Sequence, residues 1–172
     1  QKRQVTEIFG EVRAGAAERE AQKAEWRKKL TPEVLAKADP KAGRAVFDRT
    51  CGACHRLFGE GGQVGPELTG GDRQNLSHWL DNVLDPNALI GQGYELHELT
   101  KKDGSSITGM LAGDNKRDYI LKMVGVETRV RKAEVTNDKA LGISMMPEGL
   151  FASMSDADVA NLVTAQLLYL EA

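Results

Sequence analysis

The chain has 172 residues, enough for one domain with additions or for two small domains. Lys and Arg number 23 against 25 Asp and Glu, and this net charge of −2 argues against nucleic acid as the main partner, because no excess of positive charge meets the phosphates. The two cysteines are too few for a disulfide scaffold or an all-cysteine metal site, and no apolar run is long enough to span a membrane.

Residues 1–39 predict a helical arm or linker ahead of the main domain. Apolar side chains recur over residues 4–30 at the spacing of one helical face, and charges of both signs fill the other positions. A helix with one apolar stripe needs something to pack on, which is either the rest of this chain or a further domain. The stripe consists of Val5, Ile8, Phe9, Val12 and Ala16.

Two further helix starts follow, each with a capping side chain directly before a proline. They are Thr31-Pro32 and Asp39-Pro40. The oxygen of Thr or Asp can cap the first backbone N–H groups, and proline suits the first helical turn. The second start opens a helix that runs into Cys51.

The middle of the chain predicts a loop followed by a helix. Residues 59–71 are rich in glycine. A helix is predicted from about residue 73 to residue 84, because its apolar side chains lie on one face. Asp85-Pro86 ends it, since a residue before proline avoids the helical conformation.

From Tyr94 the hydrophobic period changes from that of a helix to that of a strand. Val126, Thr128 and Val130 alternate with charged residues, which is typical of a half-buried strand. Residues 94–136 therefore predict a small antiparallel β unit of about four strands. A final helix is predicted to begin at Ser155.

The strongest signal for chemistry is the segment Cys51-Gly52-Ala53-Cys54-His55. It has the C-x-x-C-H pattern of c-type haem attachment. On a helical turn the two cysteines and the histidine share one face, because positions i, i+3 and i+4 do so. Two thiols placed there can form thioethers to the haem vinyl groups, and the imidazole of His55 can reach the iron from the same side.

Other interpretations of the two cysteines stay open at this point. A zinc site needs four ligands, and His78 and His97 lie in different predicted elements, so no second ligand pair is evident. A thioredoxin-like pair expects a βαβ setting, whereas these cysteines follow a helix. Two structural cysteines beside a histidine could also arise by chance.

From about residue 40 to residue 171 the chain resembles class I cytochrome c domains. More narrowly, it is similar to the haem-binding domains of planctomycete and verrucomicrobial type. The resemblance implies a mainly α cytochrome c fold over residues 40–172. The small antiparallel β insertion at 94–136 and the helical arm at 1–39 are predicted from the residue pattern, and the resemblance does not cover residues 1–39. The matching pieces are GRAVFDRTCGACHRLFGEGGQVGPELTG (43–70), VLDPNALI (83–90), KKDGSSITGMLAG (101–113) and SMMPEGL (144–150).

The resemblance also implies a ligand set for one covalent haem c. Cys51 and Cys54 would be the thioether anchors and His55 the proximal iron ligand. The carbonyl of Pro66 would accept the proton on the far imidazole nitrogen, which fixes the tautomer. Met146, in a Met-Pro pair before the last helix, would be the distal ligand.

Alternatives to Met146 stay open. Met145 is its neighbour, and Met154 is a more distant candidate. A ligand from His78 or His97 would give a bis-histidine site of lower potential. A methionine is more often core filler than a ligand.

The resemblance further implies helix packing and a role for the β insertion. Gly43 and Phe47 match first-helix positions that contact the last helix. The aromatic residue expected in that last helix falls on Ala165, and Tyr169 comes one turn later. The insertion is expected to act as a lid over one haem edge rather than as a docking surface for a partner.

The expected function is single-electron transfer through haem c, not enzymatic catalysis by this chain. Haem c is attached outside the cytoplasm, so a periplasmic or equivalent location is expected. The expected partner is a redox protein or a fused dehydrogenase domain, with no nucleic acid and no membrane span in this chain. The alternative is a peroxidase or gas sensor with an open or exchangeable sixth iron position.

Overall fold

The computed structural model describes residues 16–70 and 72–167. The first part of the predicted arm, with Val5, Ile8, Phe9 and Val12, lies outside the described residues. Five α-helices occur in the described part, together with two short 3-10 helices at Lys132–Glu134 and Leu150–Ser153. The α-helices are α1 (Ala16–Lys29), α2 (Pro32–Leu35), α3 (Pro40–Thr50), α4 (Leu76–Leu84) and α5 (Asp156–Leu167).

The helix starts follow the capping chemistry of the sequence. The side chain of Thr31 accepts a hydrogen bond from the N–H of Val34, and Asp39 accepts bonds from two backbone N–H groups of α3. Both predicted starts are therefore confirmed. Asn75 caps α4 in the same way, so this helix begins at Leu76, slightly later than predicted.

Helices α3 and α5 pack closely, and Gly43 makes this possible. A Cβ atom at position 43 would overlap the backbone carbonyl of Asn161 and would lie 2.8 Å from Cβ of Ala165. The small side chain of Ala165 thus faces the glycine across the interface, where the family pattern expects an aromatic residue. Phe47, also on α3, is fully buried beside Leu162 of α5. Tyr169 lies outside the described residues.

Helix α1 packs on α4 and on the 3-10 helix at Leu150–Ser153. The rings of Trp26 and Phe151 meet edge to face with centroids 5.0 Å apart. Lys23 is only 4% exposed, and its ammonium group lies 3.1 Å from a carboxylate oxygen of Asp81 on α4. Apolar packing and an ion pair between a buried lysine and a half-exposed aspartate together fix the position of α1.

The strands overturn the predicted mainly α fold class. The described part is about 38% helix and about 28% strand, and it contains a five-stranded antiparallel sheet. This is not a mainly α cytochrome fold.

The strand order in the sheet is β6-β5-β4-β3-β7, and β1 (Arg56–Leu57) with β2 (Glu60–Gly61) forms a separate small hairpin. The sheet strands are β3 (Glu95–Lys101), β4 (Ser106–Asp114), β5 (Asp118–Met123), β6 (Val126–Arg131) and β7 (Val135–Ser144).

The sheet carries its own apolar core. Leu99, Leu121 and Val130 are buried together, with the partly buried Ile107, Leu111, Tyr119 and Val135 packed around them. The helices bury a different set of residues in two further clusters. The β unit is therefore more than the short four-stranded insertion ending at residue 136, because it adds a fifth strand, Val135–Ser144, along the edge of β3.

None of the helices within residues 16–70 and 72–167 combines the length and the apolar character that a membrane span needs.

Candidate functional site

The Cys51–His55 segment continues from the end of α3 as a compact turn. The N–H of Cys51 donates to the carbonyl of Phe47, at 2.7 Å, and closes the helix. The N–H groups of Cys54 and His55 both donate to the carbonyl of Cys51, at 3.0 and 2.9 Å. The backbone therefore makes the turn that the C-x-x-C-H spacing requires.

The glycine-rich loop folds back over this turn. The N–H of Gly62 donates to the carbonyl of Gly52 at 2.8 Å, and the N–H groups of Val64 and Gly65 donate to the carbonyl of Cys54. A Cβ atom at Gly62 would overlap the backbone of the turn. Glycine at position 62 therefore permits close contact between the loop and the turn.

His55 is held by the same loop. Its Nδ1 atom lies 2.9 Å from the carbonyl oxygen of Pro66. A carbonyl oxygen only accepts hydrogen bonds, so Nδ1 carries a proton, and in the neutral imidazole the lone pair is then on Nε2. A Cβ atom at Gly65 would lie 2.6 Å from Cε1 of the imidazole. Glycine at position 65 therefore leaves the space that the ring occupies.

The thiols lie in a weakly solvated environment. Cys51 packs against the cluster of Val46, Phe47, Leu57 and Leu162. Burial, and secondarily the nearby Cys54, raises the pKa of the Cys51 thiol to about 11, and burial also raises the pKa of Cys54. Reactive thiolate pairs need a lowered pKa, so this environment argues against thiol redox chemistry.

A zinc site finds no support in the part of the chain that the structure describes. No group of three or more His, Cys, Asp or Glu side chains is placed there to hold a metal ion. His78 is exposed on α4, where the Asn82 side chain donates to its carbonyl. His97 lies in the sheet, with Nδ1 2.7 Å from a carboxylate oxygen of Asp138.

The methionine segment lies between β7 and the last helix. Met145 and Met146 are both half-buried, and the N–H of Met146 donates to Oγ of Ser144 at 3.1 Å. Met154, further along, packs against both helical clusters. The structure brings Cys51, Cys54, His55 and Pro66 together, but no hydrogen bond or ion pair of the described residues links Met146 to them.

A cavity of about 260 Å³ separates the glycine-rich loop from the sheet. Gln63 and Val64 line it from the loop, and Tyr94, Met110 and Lys122 line it from the sheet side. The β unit therefore stands next to the loop that wraps the Cys51–His55 turn.

These residues fit a covalently attached haem. Two thiols and one imidazole follow each other on a single turn, and the imidazole is already oriented with its proton on Nδ1. Gly65 provides room for that ring. The imidazole nitrogen of His55 is a donor that is typical of haem iron in cytochromes c.

Comparison with known families supports the same chemistry. Residues 40–106 match the family model for cytochrome c. No curated protein matches the chain. A cytochrome c domain implies covalently bound haem c and haem-based electron transfer, and such domains are typically extracytoplasmic. The match includes Cys51, Cys54 and His55, ends within β4, and does not address the planctomycete and verrucomicrobial subtype.

Sequence reasoning missed two features of the site. The first is Gly65, whose lack of a side chain leaves room for the imidazole of His55. The glycine content of the loop was the signal in the sequence that could have indicated this. The second is the set of contacts that Asn87 and Arg19 make with the methionine segment. These residues are distant in sequence from the segment, so only the fold shows that they meet it.

Proposed function

We propose that this protein transfers single electrons through one covalently bound haem c, with His55 and Met146 as axial ligands. The hydrogen bond between Nδ1 of His55 and the carbonyl of Pro66 carries the proposal, because it leaves Nε2 available for iron on the turn that bears both cysteines. When bound, the haem supplies the one-electron redox couple.

The residues of the chain have separate tasks in this proposal. Cys51 and Cys54 anchor the cofactor through thioether bonds. Pro66 holds the proton at Nδ1 of His55 and makes the imidazole a more basic ligand. Met146 contributes a neutral sulfur, which raises the potential of the iron. The cluster around Cys51 excludes water from the anchored side.

The β unit is proposed to shield one haem edge. The cavity between the glycine-rich loop and the sheet supports this, since it places Tyr94 and Met110 opposite the loop that contacts the motif. Burial of a haem edge changes the potential by lowering the local polarity. The proposed setting is periplasmic or otherwise extracytoplasmic, and the proposed electron partner is a redox protein or a fused dehydrogenase domain.

Absorption spectra test the axial ligands. We expect wild-type protein, made with the haem c maturation machinery, to show the weak long-wavelength sulfur-to-iron band when oxidised. Met146→Ala is expected to lose the band, because alanine has no sulfur to bind the iron. Met145→Ala is the matched control and is expected to keep it.

Three other outcomes would contradict the assignment. Loss of the band in Met145→Ala alone would move the ligand to Met145. A wild-type protein without the band would exclude methionine ligation. If that protein also bound carbon monoxide readily, the open sixth position of a peroxidase or gas sensor would replace the proposed function.

Substitution of Gly65 tests the role of the Pro66 hydrogen bond. In Gly65→Ala the new methyl group would displace the imidazole, since its Cβ would lie 2.6 Å from Cε1. Weakening the bond to Pro66 makes His55 a less basic ligand, so we expect the midpoint potential to rise. In the control Gly70→Ala the added Cβ meets no atom within 4 Å. Equal potentials in the two variants would contradict the role given to this bond.

A further inference from the structure

The methionine segment Ser144–Glu148 is tied at both ends to the turn that follows α4. Asn87, in that turn, accepts a hydrogen bond from the N–H of Ser144 through Oδ1 at 2.7 Å. The same side chain donates through Nδ2 to Oε1 of Glu148 at 2.6 Å. The side-chain amide of Asn87 therefore bonds to the residue before and the residue after the stretch Met145, Met146 and Pro147.

A second tie comes from helix α1. Nη2 of Arg19 donates to the other carboxylate oxygen of Glu148 at 2.5 Å. Nε of Arg19 also lies 3.4 Å from a carboxylate oxygen of Asp85, just ahead of Asn87. The Arg19 and Asp85 side chains are 16% and 10% exposed, so water screens this pair less than an open surface pair, whereas the Glu148 side chain is 41% exposed. Arg19 lies outside the residues that match the cytochrome c family.

The segment has limited means of fixing its own backbone. Pro147 has no N–H, and the N–H of Met146 bonds to Ser144 within the segment. External bonds at Ser144 and Glu148 therefore restrict where Met146 can move. A ligand held by its loop competes better with an added ligand, because displacement then requires breaking the bonds that hold the loop.

We propose that Asn87 and Arg19 are positioning residues that hold Ser144–Glu148 in place and thereby keep Met146 on the iron. This inference rests on the proposed function, because it assumes that Met146 is the distal ligand. Helix α1 would then contribute to the site by placing Arg19 against Glu148.

Two variants with matched controls test the proposal in the haem-loaded protein. Asn87→Asp keeps the acceptor for Ser144 but replaces the amide donor by an oxygen that faces the Glu148 carboxylate. Arg19→Met removes the charge and keeps most of the apolar stem. The controls are Asn82→Asp on α4, where the amide donates to the His78 carbonyl, and Arg27→Met on α1, where the guanidinium lies 3.7 Å from Asp81.

The first readout is displacement of the sulfur ligand by imidazole, followed as loss of the long-wavelength band. Loss of one or two of these bonds is expected to lower the apparent Kd for imidazole about tenfold in Asn87→Asp and in Arg19→Met. The controls are expected to stay close to wild type. The second readout is amide hydrogen exchange of residues 144–148, which is expected to become about tenfold faster in the same two variants.

The outcomes separate this inference from the proposed function. If wild type lacks the sulfur-to-iron band, Met146 ligation fails, and this inference fails with it before any variant is compared. If wild type has the band and the two variants match their controls in both readouts, only the positioning role is overturned. Faster exchange with unchanged imidazole affinity would also overturn it, because the segment would then be held without effect on the ligand. If Asn87→Asp does not fold, the comparison of Arg19→Met with its control Arg27→Met decides whether the positioning role is correct.

Discussion

Replacing Gly43 by alanine is expected to destabilise the protein by about 2 kcal/mol, although alanine normally favours a helix. The new Cβ would overlap the carbonyl of Asn161 and press on Ala165, so α3 and α5 would have to separate. Forcing an extra methyl group into such an interface costs about 3 kcal/mol, and better helix propensity returns about 1 kcal/mol. The free energy of unfolding from denaturant titration measures the net effect.

Ala45→Gly, on the exposed side of the same helix, is the matched control. Here glycine replaces alanine, and we expect a loss of about 1 kcal/mol from helix propensity alone. Glycine would thus be favoured at position 43 and disfavoured at position 45. A stabilising Gly43→Ala substitution would contradict the close approach of α3 and α5.

Replacing both Cys51 and Cys54 by alanine is expected to abolish covalent haem attachment. Alanine offers no sulfur for a thioether bond, and its apolar side chain suits the contact of Cys51 with the Val46 and Phe47 cluster. The amount of haem that remains on the chain after unfolding is expected to fall from one per chain to none. Denaturing electrophoresis with haem detection measures it.

Met110→Leu is the control for this pair, because Met110 is buried in the sheet and lines the cavity without belonging to the Cys51–His55 turn. We expect it to retain covalent haem. Circular dichroism of the double variant establishes that its secondary structure is retained. Covalent haem in a folded double variant would contradict the role of the two cysteines.

The helices could be predicted well because their signals are local. Thr31, Asp39 and Pro40 define helix starts through capping and proline chemistry, which do not depend on distant residues. The predicted start of the last helix at Ser155 agrees with the reciprocal hydrogen bonds between Ser155, directly before α5, and Asp158 in its first turn.

The fifth sheet strand could not be predicted because it lacks a hydrophobic alternation. Val135–Ser144 lies at the edge of the sheet, and residues 136–140 are all exposed. With little of the strand buried, its sequence does not show the period of two that identified β6. The mainly α fold class was implied by the family resemblance, and it is wrong because strands make up about 28% of the described part and form a five-stranded sheet.

The contacts of the candidate site also differ in how well they could be predicted, because some are local in sequence and others join distant residues. The Cys51–His55 turn follows from five consecutive residues, so its geometry could be predicted from spacing. The proximity of His55 and Pro66 spans 11 positions and was expected only through the family resemblance. The bond from Arg19 to Glu148 spans 129 positions, and no local pattern in the sequence indicates it.

The proposed function depends above all on Cys51, Cys54 and His55 holding one haem c. The most direct measurement is the mass of the unfolded wild-type chain after expression with the haem c maturation machinery, together with its absorption spectrum before unfolding. We expect an increase equal to one haem that persists on unfolding, with a haem c spectrum in the folded protein. An unmodified mass and a colourless protein would contradict it and would return Cys51 and Cys54 to thiol chemistry.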